Sequence, residues 1–149
     1  MVALLFTVTL PAPAAAQIPA DVSMGFTFGG GAPVVTGEVT EHLNDRLAIV
    51  GGAYWGAGQP AAVGFHMGPR FYTEPAGRLR PFGELAAGFS STPNVHGFIF
   101  TPTLGVEVGI GRRTRFRTSA GVGLGLGGRG DGTGFTVTTA LVLLPARAR

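Results

Sequence analysis

The sequence predicts an all-β chain, an eight-stranded antiparallel up-and-down transmembrane β-barrel. Three observations carry this expectation. Between clusters of turn-forming residues, large apolar side chains alternate with small or polar ones, as they do in strands and not in helices. Glycine supplies 26 of the 149 residues, too many for stable helices. Charged residues make up only 13%, against about 25% in an ordinary soluble domain.

The chain opens MVALLFTVTLPAPAAAQ. A short apolar run from Val2 to Leu10, broken by Pro11 and Pro13 and followed by Ala14-Ala15-Ala16, has the form of a secretory signal peptide. Residues 1–16 are therefore expected to be cleaved, leaving 17–149 as the barrel. The apolar run is too short for a spanning helix, which needs about 20 residues.

Eight alternating runs follow. In the first, Val22, Met24, Phe26 and Phe28 alternate with Ser23, Gly25 and Thr27. Gly-Ala-Pro then turns the chain, and Val35, Val39 and Leu43 oppose Thr36, Glu38, Thr40 and His42, with Glu41 on the apolar side. After Asn44-Asp45-Arg46, Leu47, Ile49, Ala53 and Trp55 share a face. In the fourth run Val63, Phe65, Met67 and Phe71 oppose Gly64, His66, Gly68, Arg70 and Tyr72. In the fifth, Leu85, Ala87 and Phe89 oppose Glu84, Ala86, Gly88 and Ser90. The sixth sets Phe98, Phe100, Leu104, Val106, Val108 and Ile110 against Thr101, Thr103, Gly105 and Glu107. The seventh sets Phe116, Ala120, Val122, Leu124 and Leu126 against Arg115, Arg117, Ser119 and a series of glycines. In the last, Phe135, Val137, Leu141 and Leu143 oppose Thr136 and Thr138.

The composition of the second face decides which side is wet. A soluble barrel would place its polar face in water and fill it with Lys, Glu, Arg and Gln. This one carries Gly, Ser, Thr and Ala with one or two charges per run, which suits the narrow interior of an eight-stranded barrel. The apolar face is almost free of charge, as a lipid-facing band must be. A soluble, lipocalin-like ligand-binding barrel exported to the periplasm is the competing architecture, because its alternation has the same period.

The mid-strand charges Glu38, His66, Arg70, Glu84, Glu107, Arg115 and Arg117 then all point into the lumen. A three-residue connection at Gly111–Arg113 places Glu107 directly opposite Arg117, a favourable cross-strand pair. The same parity logic sets Glu84 opposite Gly68, diagonal to His66 and Arg70. Glu38 lies two strands from His66 with Gly52 between them, where the glycine leaves room for contact. Buried charges need partners whatever their role, so the seven read first as structural ion pairs plugging the barrel. A narrow pore through them is the alternative; eight strands leave no wide channel.

Enzyme signals are thin. Of the histidines, only His96 falls in an expected outer loop, near Ser90 and Ser91, and that trio is the one basis for a lipid-modifying activity. No His/Asp spacing suits a metal, and Cys is absent, which removes disulfides and thiolate sites. Gly123 to Gly128 ends a strand with no helix after it, so it is no dinucleotide loop. The RGD tripeptide at 129–131 reads as chance in a Gly/Arg-rich turn. No cofactor is implied. The net charge is only +3, and the 11 basic residues, all Arg, are dispersed, which argues against nucleic acid as a partner.

The AAAQ ending of the leader, the segment MGPRFYTEPAGRLRPFGELAAGFS (Met67–Ser90) and the stretch TPTLGVEVGIGRRTRFRTSAGVGLGLG together resemble the small outer-membrane barrels of the OmpA/OmpX-like type. The resemblance implies a periplasmic N-terminus, with outer loops near 29–34, 55–61, 90–97 and 127–134 and inner turns near 43–47, 73–80 and 111–114. It also implies aromatic girdles from Trp55, Phe71, Tyr72, Phe89 and Phe98. The implied location is the bacterial outer membrane, with its lipid and the barrel-insertion machinery as partners and a non-enzymatic structural or interaction role. Such barrels usually end on an aromatic residue; this chain ends LLPARAR.

Overall fold

The computed structural model describes residues 20–29, 33–56, 62–73, 77–91, 96–126 and 133–145. The expected signal peptide and the RGD tripeptide lie outside the described residues. Eight strands, β1 (Asp21–Phe28), β2 (Val34–His42), β3 (Leu47–Gly56), β4 (Ala62–Tyr72), β5 (Leu79–Ser91), β6 (His96–Gly109), β7 (Thr114–Leu126) and β8 (Thr133–Leu143), form a barrel in sequence order. Every neighbouring pair is antiparallel, and β8 closes onto β1 from Val22–Leu143 to Phe28–Val137. Closure removes both sheet edges, as a β structure in hydrocarbon requires.

The inner turns are short and locally determined. Asn44 Oδ1 accepts from the Arg46 and Leu47 amides, both at 2.9 Å, an Asx turn that reverses the chain between β2 and β3. Between β6 and β7, the Ile110 and Gly111 amides both donate to Thr114 O, at 3.1 and 3.2 Å. That three-residue connection pairs Val108 with Phe116 and Glu107 with Arg117.

The faces divide as the alternation requires. Met24, Phe65, Met67, Leu104 and Phe135 stand outward, with Leu104 75% exposed, while Val50 and Val142 are fully buried inside. The architecture is therefore inverted relative to a soluble barrel, with an apolar exterior and a charged interior. Aromatic contacts strengthen the outer end of the wall, where Phe89 lies between Phe65 (6.3 Å) and Phe98 (5.8 Å, edge-on). Tyr72 does not join an interfacial girdle. It is 3% exposed and faces the lumen, because it shares its parity with His66 and Arg70.

The β4–β5 register differs from the expected one by two residues. Glu84 lies opposite Arg70, and Phe82 opposite Tyr72. The expected register would have set Phe82 against Arg70. The observed one matches charge with charge and ring with ring, and the Tyr72 and Phe82 rings pack with centroids 6.0 Å apart. Prolines loosen the wall nearby. The β4–β5 ladder is interrupted between Met67–Ala87 and Arg70–Glu84, at Pro69, and the β6–β7 ladder between Phe100–Leu124 and Thr103–Gly121, at Pro102.

Along its axis the lumen has two halves. Toward the inner turns, Ala48, Val50, Tyr72, Phe82, Ala140 and Val142 are buried and pack it shut. Toward the outer loops, hydroxyl-bearing residues line a cavity of about 360 Å³.

Close strand approach depends on particular glycines. A Cβ at Gly88 would collide with Phe65 O and lie 2.8 Å from His66 Cα, both backbone atoms that cannot swing away. Gly88→Ala is expected to destabilise the barrel by about 1–3 kcal/mol through this overpacking. Gly51→Ala, whose added methyl meets nothing within 4 Å, is expected to be neutral. Urea unfolding of both variants in lipid vesicles distinguishes the two outcomes.

Candidate functional site

The seven charged residues singled out in the sequence all reach one network at mid-lumen. Its hub is Arg70, which β4 projects inward two residues from the inner end of the strand. Arg70 Nε donates to Glu84 Oε2 at 2.7 Å, Nη2 lies 3.1 Å from Glu38 Oε2, and Nη1 lies 3.7 Å from Glu107 Oε1. Three carboxylates from β2, β5 and β6 thus converge on one guanidinium. Arg70 is 1% exposed, so these contacts replace its water entirely.

Arg117 is the second hub. Its Nε donates to Glu107 Oε1 at 3.0 Å, while Nη1 pairs with Glu38 Oε2 and lies 3.4 Å from Ser23 Oγ. The Arg117–Glu38 contact joins β7 to β2 across the lumen rather than between neighbours. Arg115 Nη1 adds a 3.3 Å bond to Glu107 Oε2, and the Tyr72 hydroxyl donates to Glu107 Oε1 at 3.2 Å. Glu107 therefore accepts from Arg117, Arg115 and Tyr72. Three guanidinium groups meet three carboxylates, so the network is balanced in charge, with Arg117 Nη2 left buried without a hydrogen-bond partner among the described residues.

His66 reaches the network through Glu38, with Nε2 3.4 Å from Oε1. Gly52 lies between them in the ladder, opposite Glu38 on one side and His66 on the other. A Cβ there would lie 2.7 Å from His66 Cε1 and 2.9 Å from Glu38 Cγ. The contact between the two side chains exists because position 52 has no side chain.

The rings below complete the plug. Arg70 lies over Phe82 at 4.7 Å from its centroid and Arg117 at 5.9 Å, so one aromatic face supports both hubs. Arg80, which the sequence reading did not place in the lumen, stacks over Tyr72 at 3.9 Å and donates to Asp45 O at 3.2 Å. Its parity matches that of Glu84, and a strand begun at Leu79 instead of nearer Leu85 would have revealed it. A separate pair, Asp21 with His42 at 2.9 Å, closes the inner end, where His42 also stacks on Tyr72.

Above the network, the cavity is walled by Thr36, Tyr54, Ser90, Thr101 and Ser119, with Glu38, His66 and Arg70 at its base. Ligand atoms of Glu38, His66 and Glu84 come within 4.8 Å of one another. Both carboxylates already share the Arg70 guanidinium, which supplies the positive charge a metal ion would otherwise bring. His66 is engaged with Glu38. The backbone of Ser91 pairs with that of His96 at the outer ends of β5 and β6.

No protein-family model matches the sequence, and no curated protein does. Solved structures do. The N-terminal β-barrel domain of OprF from Pseudomonas aeruginosa superposes with a TM-score of 0.70 at 11% identity, over 87% of this chain and 98% of that one. The chain has the fold of the small outer-membrane β-barrels. The outer-membrane enzyme PagL is similar over 83% of this chain and 99% of its own, with a TM-score of 0.61 and 15% identity. Ail, the attachment invasion locus protein of Yersinia pestis, gives 0.59 at 11% identity over 87% and 100%. An enzyme and an attachment protein share this scaffold, so the fold alone does not choose the activity.

Arg70→Met leaves Glu84 without its guanidinium and takes one partner each from Glu38 and Glu107, and is expected to lower unfolding stability by about 3–5 kcal/mol. Adding Glu84→Gln in that background is expected to recover part of the loss, with a coupling of about 0.5–3 kcal/mol. Urea titrations of the folded barrel in vesicles measure both. Strictly additive effects would mean that the two side chains act independently.

Proposed function

We propose that this chain is an integral outer-membrane β-barrel with a structural or interaction role, exported by its N-terminal leader and non-enzymatic. One observation carries the reading, which is the inversion of the barrel. More than twenty large apolar side chains face outward while Arg70, Arg117 and Glu107 are fully buried inside. In water this arrangement would expose an apolar surface far beyond the few hundred Å² a soluble monomer tolerates. In lipid the same surface is satisfied.

The interior supports the rest of the reading. The mid-lumen network bonds each carboxylate to at least one guanidinium, and the inner half of the lumen is packed with aliphatic and aromatic side chains, which leaves no wide passage. Work done at the membrane surface, with the lumen acting as a rigid strut, fits these features best. The barrel-insertion machinery is the partner such a fold needs during biogenesis.

The protein is expected to co-fractionate with outer-membrane markers and to migrate faster on gels when unheated than when boiled. A chain that stays monomeric in detergent-free buffer would favour the soluble lipocalin-like alternative. In planar bilayers the purified barrel is expected to give no porin-sized conductance steps, and regular large steps would restore the pore reading.

A further inference from the structure

Among the described residues, charge outside the lumen is confined to one end of the barrel. The connections β2–β3, β4–β5 and β6–β7 all lie at that end, and they carry Arg46, Arg78, Arg112 and Arg113, all exposed. The three turns form one continuous arc. The Tyr72 amide donates to Arg46 O at 2.8 Å, the Gly109 amide to Arg78 O at 2.7 Å, and Arg78 Nε to Gly109 O at 3.3 Å. Among the described residues, the acidic groups sharing this rim are Asp45, exposed in the first turn, and Glu41, outward near the end of β2; Glu74 of the β4–β5 connection lies outside the described residues. Asp21 is buried with His42 and contributes nothing to the surface. At the opposite end, the described residues include no Asp, Glu, Lys or Arg.

Directly beside the arginines stands a collar of exposed aliphatic side chains, Leu43, Leu79, Ile110 and Leu143, each more than half exposed. The β2–β3 turn, 43–46, and the β6–β7 turn, 110–113, are each only four residues long, so the guanidinium groups remain within one side-chain length of the collar. Where the collar meets hydrocarbon, the arginines are therefore at headgroup depth, their stems lying along apolar surface and their heads reaching the polar layer. A partner beyond the headgroups would call for longer turns.

We propose that this arginine arc is a binding surface for anionic phospholipid headgroups in the leaflet that meets the inner turns. The inference rests on the membrane reading above. The recognised chemistry is the lipid phosphate with an additional net negative charge, as in phosphatidylglycerol, bound by guanidinium groups that can donate in pairs.

The test measures the association of spin-labelled phosphatidylglycerol and phosphatidylcholine with the full chain folded in phosphatidylcholine vesicles, so that probe reaches the inner turns in either orientation. The wild type is expected to prefer phosphatidylglycerol by about fivefold or more, the effect of one arginine at an anionic lipid surface. The preference should shrink as salt is raised. It should vanish when Arg46→Gln, Arg78→Gln, Arg112→Gln and Arg113→Gln are combined. Folding of the variant is checked by heat-dependent migration, and the salt titration of the wild type decides the matter if the variant does not fold. No preference in the wild type overturns the proposal. So does a preference that survives high salt or the four substitutions, or selective binding of the vesicle-borne protein to peptidoglycan fragments without lipid selectivity. A chain that never integrates into vesicles sinks the membrane reading and this inference together. An integrated chain without headgroup selectivity sinks the inference alone.

Discussion

The structure depends on one constraint: charge placed inside a narrow barrel surrounded by lipid has nowhere to go except to other charge. An isolated guanidinium or carboxylate in such a place would carry a desolvation penalty of several kcal/mol. Arg70 and Arg117 escape it by each holding more than one carboxylate, and Glu107 escapes it by accepting from two arginines and a tyrosine. Other features follow from that requirement. Position 52 must be glycine for Glu38 and His66 to touch, and the β4–β5 register must bring Glu84 opposite Arg70. Phe82 must lie flat enough beneath the two hubs to present its face.

The same constraint explains why the exterior can be so plain. With polar work done inside, the outer face needs only apolar bulk and a closed hydrogen-bond ladder. Even Pro69 and Pro102, which interrupt that ladder, are tolerated, since their neighbours on β5 and β6 keep the wall continuous from Leu79–Val108 to Ser91–His96. The chain behaves as an inside-out globule in which the ion pairs hold the centre and the valines and phenylalanines face the solvent, hydrocarbon in this case.

Much of this could be read from residues alone. Alternation is a property of single strands, so each side chain's face was legible without knowing its neighbours. The Glu107–Arg117 pair was legible too, because three residues at Gly111–Arg113 leave one register that keeps like faces together. The β4–β5 pairing was not, since parity permits several registers two residues apart, and the choice among them came from Tyr72 meeting Phe82. Arg80 was missed because Pro81 and Gly83 blur the start of β5. Contacts that jump the lumen, such as Arg117 with Glu38, were beyond reach for a different reason. Cross-strand rules describe adjacent strands, and these two lie on facing walls.

The unequal halves of the lumen have a consequence for transport. A tube passes material; a vessel with a solid floor only fills and empties. With Tyr72, Phe82, Val50 and Val142 sealing the inner half, the 360 Å³ chamber above them communicates with one compartment at most. A small solute in it would exchange with that side and meet the packed half of the lumen on the other.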